Sequence, residues 1–407
     1  MAGRRPDAEE LYDRYLDACH SGTVEEPDTF FERHPGISTT GRERIRTLHR
    51  AIAGGDDGAL PFERLGEYRL IRRLGAGGMG TVYLAEQPSL KRLVALKVIR
   101  PELQASETAV RRFEREALAI GRLRHPNVVT VLELGEEHDV RFLAMELVAG
   151  RPMDDVLADG RPPVPRTLRW VAALASALDA APAEGIVHRD VKPGNVLVAP
   201  DDRPVLLDFG MAHLAEIEAT TLTRSFAGSP PYAAPEQLST GEIDARTDVY
   251  ALGVTLYECL AGKRPFEGST LEGLFRRILT EEPPPPSRLN PAVPRALDVV
   301  TLKALEKRPR NRYASAAAFA ADLEAILEER PVAARPPSPL VRARRWARRR
   351  PAAATLVLAA AAFLAFLGAQ AWQGARERRA QARDKVEEAG RLVDAYRASR
   401  DEARELE

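Results

Sequence analysis

The octapeptide His188-Arg-Asp-Val-Lys-Pro-Gly-Asn195 constrains this chain more than any other stretch of its 407 residues. It is polar, contains Pro and Gly, and is bounded by Val187 on one side and Val196 to Val198 on the other. Such a pattern reads as a loop held between short apolar strands. A second polar turn, Asp208-Phe-Gly210, follows Val205-Leu-Leu at short range. Together they supply two carboxylates, a lysine and an amide. Phosphoryl transfer needs that set: carboxylate and amide oxygens for a hard cation, a carboxylate facing the attacking hydroxyl, and a cation near the moving phosphate.

Upstream, Tyr68, Leu70 and Ile71 precede Gly75-Ala-Gly-Gly-Met-Gly80, and Thr81-Val-Tyr-Leu-Ala follows. Strand formers after the glycines predict a hairpin, whereas a dinucleotide fold would need a helix there. Glycine at Gly75, Gly77 and Gly80 would let backbone N–H groups approach phosphate oxygens. Val94-Ala-Leu-Lys97 then ends an apolar strand on a single cation. Phe113, Ala117, Ile120 and Leu123 make a helical stripe that can carry the carboxylate of Glu116 beneath the sheet. Such a Lys97–Glu116 pair would hold the lysine against the nucleotide phosphates.

These motifs, recurring in order, make the sequence resemble the eukaryotic-like (Hanks-type) protein kinases, and within them the membrane-anchored bacterial serine/threonine kinases, over about residues 68 to 327. The resemblance implies an α+β, bilobal fold, with a β-rich lobe over 68–147 and a helical lobe over 150–327. It implies a nucleotide loop of Leu74, Gly75, Gly77 and Gly80, with Val82 and Ala95 against adenine. Met145 would be the gatekeeper, and Glu146 and Val148 the hinge whose backbone meets the adenine edge. Lys97 and Glu116 would form the ion pair of the small lobe. Asp190 would orient the substrate hydroxyl and take its proton, Lys192 would stabilise the transferring phosphoryl group, and Asn195 and Asp208 would bind Mg²⁺, or Mn²⁺ in its place, beside ATP.

His188 invites a catalytic role, but the resemblance makes it a structural residue of the loop. Lys192, two residues after Asp190, points to the serine/threonine branch. Glu236 would pair with Arg312 and Asp248 would brace the catalytic loop. Ser229 stands where threonine is usual, keeping the hydroxyl. Arg189 beside Asp190 is similar to kinases switched on by a phosphorylated loop, for which Thr220, Thr221, Thr223 and Ser225 lie in the right stretch and Thr221 and Thr223 match best.

The rest of the chain suggests three further pieces. Residues 1–55 carry a capping-box pattern at Asp7 and Glu10 and helical stripes through Leu11, Tyr12, Tyr15 and Leu16 and through Ile45, Leu48 and Ile52. They predict a helical extension, joined by a linker bearing Gly54, Gly55 and Gly58. A Pro- and Arg-rich linker spans 328–350. No charge then occurs between Arg350 and Arg376, which predicts a transmembrane helix over 352–371 and a helical tail over 372–407. The arginines at 342, 344, 345 and 348–350 favour a cytoplasmic side for the region before the span, and thus a single-pass inner-membrane protein. A heptad-like seam at Val386, Ala389, Val393, Tyr396 and Ala403, interrupted by Arg400, suggests a homodimer through the tail.

Composition bounds the partners. Lys+Arg and Asp+Glu both number 59, and this balance argues against nucleic acid as a ligand. Cys19 and Cys259 lack any metal or disulfide spacing. The function expected is ATP- and Mg²⁺-dependent phosphorylation of serine and threonine in proteins, with autophosphorylation of the activation loop. The alternative is a nucleotide-binding pseudokinase acting as a membrane scaffold, which the presence of Lys97, Asp190, Asn195 and Asp208 disfavours.

Overall fold

Alternating apolar residues build the first lobe. The computed structural model describes residues 14–15, 26–35, 37, 42, 45–46, 49, 60, 62–76, 80–100, 107–208, 229–239, 241–336, 347 and 350–405, without the side chains of 107–109, 112–113, 116 and 396–405. Strands β1 (Arg64–Leu65), β2 (Tyr68–Ala76), β3 (Gly80–Gln87), β4 (Arg92–Ile99), β5 (Val131–Glu137) and β6 (Val140–Glu146) form one sheet in the order β1-β2-β3-β4-β6-β5. All its pairings are antiparallel. His138 and Asp139, at φ 48 and 62, make the two-residue turn between β5 and β6. Two successive left-handed residues match the right-handed twist of the flanking strands. Helix α2 (Glu107–Arg122) follows β4, after the short α1 (Pro27–Arg33) near the N-terminus.

The second lobe is helical: α3 (Met153–Ala158), α4 (Val164–Ala180), α5 (Ala245–Ala261), α6 (Leu271–Thr280), α7 (Arg295–Ala304) and α8 (Ala316–Leu327). Helix α5 is buried on nearly every face, as befits a central helix. Asp244 caps its start by accepting from Arg246 N, and Gly262, at φ 73, closes its end. Cys259 is a free thiol in this core, pushed up to about 12 by burial. A small sheet of β7 (Arg151–Pro152), β8 (Val196–Val198) and β9 (Pro204–Leu206) lies at the junction of the lobes. Asn127, just before β5, donates through Nδ2 to Pro204 O at 2.7 Å and accepts from Leu206 N at 2.8 Å. These bonds fix the loops around β8 and β9 relative to the first lobe. The arrangement is the bilobal α+β fold that the motifs imply.

Tyr15, Phe30, Phe31, Ile37 and Ile45 pack with Ile71 and Leu84 of the first lobe. Burying a large apolar side chain contributes roughly 1.5–3 kcal/mol before ordering costs, so five of them suffice to hold the segment on the sheet. The expected stripes at 11, 12, 16, 48 and 52, and the glycine linker, lie outside the described residues.

The chain divides into two compact units, residues 1–335 and 336–407. The second contains the 55-residue helix α9 (Pro351–Glu405). Its first part is long and apolar enough to cross a membrane and is unburied. Where the sequence suggests a span and a separate tail, the helix runs on unbroken. After Pro351 no proline interrupts it, and alanine, arginine and glutamate sustain helix.

Candidate active site

The polar loop after α4 is pinned from three directions. His188 N and Arg189 N each donate to Asp248, in the first turn of α5, at 2.8 Å. Burial raises the Asp248 carboxyl above its ordinary range, opposed by the charge of His188 and by these two N–H bonds. His188 is fully buried, and its Nε2 lies 2.8 Å from Leu207 O. Gln237 Nε2 donates to Arg189 O at 2.9 Å. Arg189 itself sits at φ 68, a left-handed conformation that costs about 1–2 kcal/mol and persists only where neighbours over-determine it. His188 is thus a packing and hydrogen-bonding residue.

The pinned loop presents Asp190. Its Oδ2 accepts from Lys192 Nζ at 2.7 Å and Asn195 Nδ2 at 3.0 Å, and its Oδ1 from Ser229 N at 3.1 Å. Asn195 Nδ2 also reaches Asp190 O at 2.8 Å, while Lys192 Nζ donates to Ser229 Oγ at 2.5 Å. One carboxylate therefore organises a lysine, an amide and the start of the 229–239 segment. The Asp190 and Lys192 side chains keep 16% and 24% of their surface open. That leaves room for a reactant.

Across the cleft, Lys97 Nζ donates to Asp208 Oδ1 at 2.6 Å. Lys97 is buried on β4, and Asp208, at φ 54, turns out of the strand after β9. Glu116 lies on α2, but its side chain is outside the described residues. Ala95, Met145, Val148 and Leu207 pack in one apolar cluster beside this pair. Glu146 N donates to Thr130 O at 2.9 Å, so recognition of a base edge at Glu146 falls to its carbonyl. Val82 pairs with Lys97 across β3 and β4, and Gly75 pairs with Val82. A Cβ on Gly75 would meet nothing within 4 Å among the described residues, whereas one on Gly80 would sit 2.1 Å from Val98 O. Gly77 lies outside the described residues.

The segment after Ser229 is braced by contacts of two kinds. Arg312 grips Glu236 with both guanidinium nitrogens, at 2.5 and 2.7 Å, in a fully buried setting, and Thr247 Oγ1 donates to Glu236 Oε1 at 2.9 Å. Tyr232 OH donates to Glu258 Oε2 at 2.6 Å, and burial raises the Glu258 carboxyl. Both line a groove with Asp154, Arg161 and Pro193. Gln237 and Thr247 carry no sequence signal of their own, because each acts through a partner distant in the chain. Arg189 Nη1 is buried with no hydrogen-bond partner among the described residues. Thr221 and Thr223 lie outside the described residues.

Among the described residues no three His, Cys, Asp or Glu side chains converge as a metal cage. An amide and a carboxylate at Asn195 and Asp208 fit a hard divalent cation that keeps its other positions for water and phosphate.

The protein kinase domain family model matches residues 68–323. The serine/threonine-protein kinase pkn3 of Myxococcus xanthus is 42% identical over 276 residues, covering 65% of this chain and 50% of that protein. PknH of Mycobacterium tuberculosis is 41% identical over 252 residues, covering 62% and 40%. PrkC of Bacillus subtilis is 37% identical over 264 residues, covering 65% and 41%. The chain thus spans half or less of the length of these curated relatives. Among solved structures, the kinase domain of Mycobacterium tuberculosis PknI superimposes with a TM-score of 0.53 at 34% identity, covering 65% of this chain and 98% of that one.

Proposed function

This chain belongs to the protein kinase family, in its bacterial serine/threonine branch, and from that premise we propose that it transfers the γ-phosphoryl group of ATP to serine and threonine hydroxyls of proteins. The observation that carries the reading is the single carboxylate of Asp190 held by Lys192, Asn195 and Ser229 N. In the reaction the substrate hydroxyl oxygen bonds to the γ-phosphorus, the bond to the β–γ bridging oxygen breaks, and ADP leaves. Asp190 orients the hydroxyl and accepts its proton. Lys192 follows the charge on the moving phosphoryl group, and Ser229 keeps Lys192 in place. Lys97 holds the nucleotide phosphates, while Ala95, Val82, Met145, Glu146 and Val148 receive adenine. Mg²⁺ held by Asn195 and Asp208 would supply charge neutralisation at the phosphate oxygens.

Activation follows from Arg189. A phosphate on Thr221 or Thr223 would give its buried Nη1, which has no hydrogen-bond partner among the described residues, a charged acceptor. ATP is cytoplasmic, and the arginines before α9 favour that side, so the catalytic unit faces the cytoplasm with α9 as a single membrane span. Two copies would meet along the seam of the tail.

The test uses the full chain in detergent, with Mg²⁺ and labelled ATP, beside Asp190→Asn. Label on Thr221 or Thr223 that disappears in the variant is expected. Nucleotide binding without label on the chain or on generic protein substrates would instead favour a pseudokinase scaffold.

A further inference from the structure

The segment before the sheet is not used by phosphoryl transfer, yet it is built into the first lobe. Tyr15, Phe30, Phe31, Ile37 and Ile45 are each exposed by 5% or less. Polar clasps fix the segment internally: Tyr15 OH lies 2.7 Å from His49 Nδ1, Arg46 pairs with Asp28 at 2.9 Å, and the rings of Tyr15 and Phe30 meet edge-on at 4.9 Å. Its place on the sheet is informative. Leu84, in the shared cluster, pairs with Ala95, while Val82 pairs with Lys97. Cross-strand partners share a face, and alternate pairs share the same one. The face that carries Val82, Ala95 and Lys97 therefore continues to Leu84, and there the N-terminal segment covers it.

Two of its contacts reach the nucleotide site itself. Leu74 and Leu147 both pack against this cluster. Leu74 sits where the β2–β3 register shifts between Arg73 and Gly75, directly before the glycine turn. Leu147 lies between Glu146 and Val148. One apolar cluster thus touches the two ends of the site, the turn that would cover phosphates and the hinge that would meet adenine.

We infer that the buried residues Tyr15, Phe30, Phe31, Ile37 and Ile45 are a positioning element of the nucleotide site, with Phe31 and Ile45 acting through Leu74 and Leu147 to set the spacing of glycine turn and hinge. The inference rests on the reading of the cleft as an ATP site. A purely structural role would lower stability and leave the nucleotide affinity of folded molecules unchanged. A positioning role shows in ground-state binding: KM for ATP rises while kcat at saturation holds.

The experiment compares the full chain in detergent with Phe31→Ala, Ile45→Asp and the conservative Ile45→Val. Calorimetry gives the dissociation constant of Mg²⁺·ADP, kinetics give KM and kcat, and hydrogen exchange reports protection over residues 26–35. Phe31→Ala and Ile45→Asp are expected to weaken ADP and raise KM by about ten-fold with kcat within about two-fold, Ile45→Val remaining like the parent. Unchanged ADP affinity in a variant whose segment has lost protection, or a fall in kcat alone, overturns the inference. If Ile45→Asp does not fold, Phe31→Ala decides by the same criteria. A parent chain that binds ADP but transfers no phosphate defeats the kinase reading and leaves the affinity comparison valid; one that binds no ADP defeats both.

Discussion

Ser229 offers the sharpest handle on how the site works. Replacing it with alanine removes the hydroxyl that accepts from Lys192 Nζ at 2.5 Å and leaves the Ser229 N bond to Asp190 Oδ1 in place. Among the described residues Lys192 would keep Asp190 as its hydrogen-bond partner. A hydrogen bond to a charged group contributes about 1.5–3 kcal/mol. Because Lys192 is 24% exposed, water can take the vacated position, and the lower part of that range applies. A loss of about 1.5–2 kcal/mol lowers kcat by roughly 10- to 30-fold. KM for ATP should hold, since Lys97 and the apolar wall are untouched. Ser229→Thr keeps the hydroxyl and should stay near the parent. Steady-state kinetics on a generic protein substrate decide the matter. Alanine within about two-fold of the parent, or threonine as impaired as alanine, would refute the idea that Ser229 holds Lys192 for the transfer step.

Two stability predictions follow from buried charges. Lys307 has no hydrogen-bond partner for its Nζ among the described residues and sits 3.8 Å from the centre of the Phe266 ring; burial, then the charge of Arg312, lowers its pKa to about 7. Between that value and the ordinary lysine range near ~10.4 the unfolded chain binds the extra proton, so this residue's contribution to stability rises with pH across the window. Lys307→Met should flatten that slope and stabilise the protein below pH 7 by on the order of 1–3 kcal/mol, checked by urea melts at acid and alkaline pH. Arg312 binds Glu236 twice and also donates to the carbonyls of Glu306, Arg246 and Lys307, a planar fork that lysine cannot copy. Arg312→Ala should cost about 3–5 kcal/mol in the same melts, and Arg312→Lys should recover only part of it.

What the sequence displays most openly is chemistry carried by residues near one another in the chain. Asp190, Lys192 and Asn195 fall within one loop, and the spacing that reveals them is also the spacing that lets one carboxylate hold two neighbours. Lys97 and Asp208 stand 111 residues apart and meet at 2.6 Å, a contact that neither a local pattern nor the expected Lys97–Glu116 pair announces. The braces are hidden for the same reason. Gln237 reaches Arg189 O and Thr247 reaches Glu236, contacts made by ordinary polar residues whose meaning comes from the partner. The N-terminal stripe shows an apolar face at Tyr15 and Ile45 but cannot say which surface covers it, because periodicity specifies that a face is buried and not against what.

The glycines of the proposed nucleotide turn show how one motif can have two physical causes. A Cβ on Gly75 would meet none of the described residues, so its lack of a side chain matters for what approaches the backbone from outside, as a phosphate would. Gly80 is different. Any Cβ there would collide with the Val98 carbonyl on β4, the strand that also carries Lys97. Its requirement for glycine is met before any nucleotide binds, and it comes from the need to bring β3 close against β4. That close approach sets Val82 opposite Lys97 and so aligns the proposed adenine wall with the proposed phosphate-binding cation. Part of the phosphate signature is therefore a packing rule for the sheet.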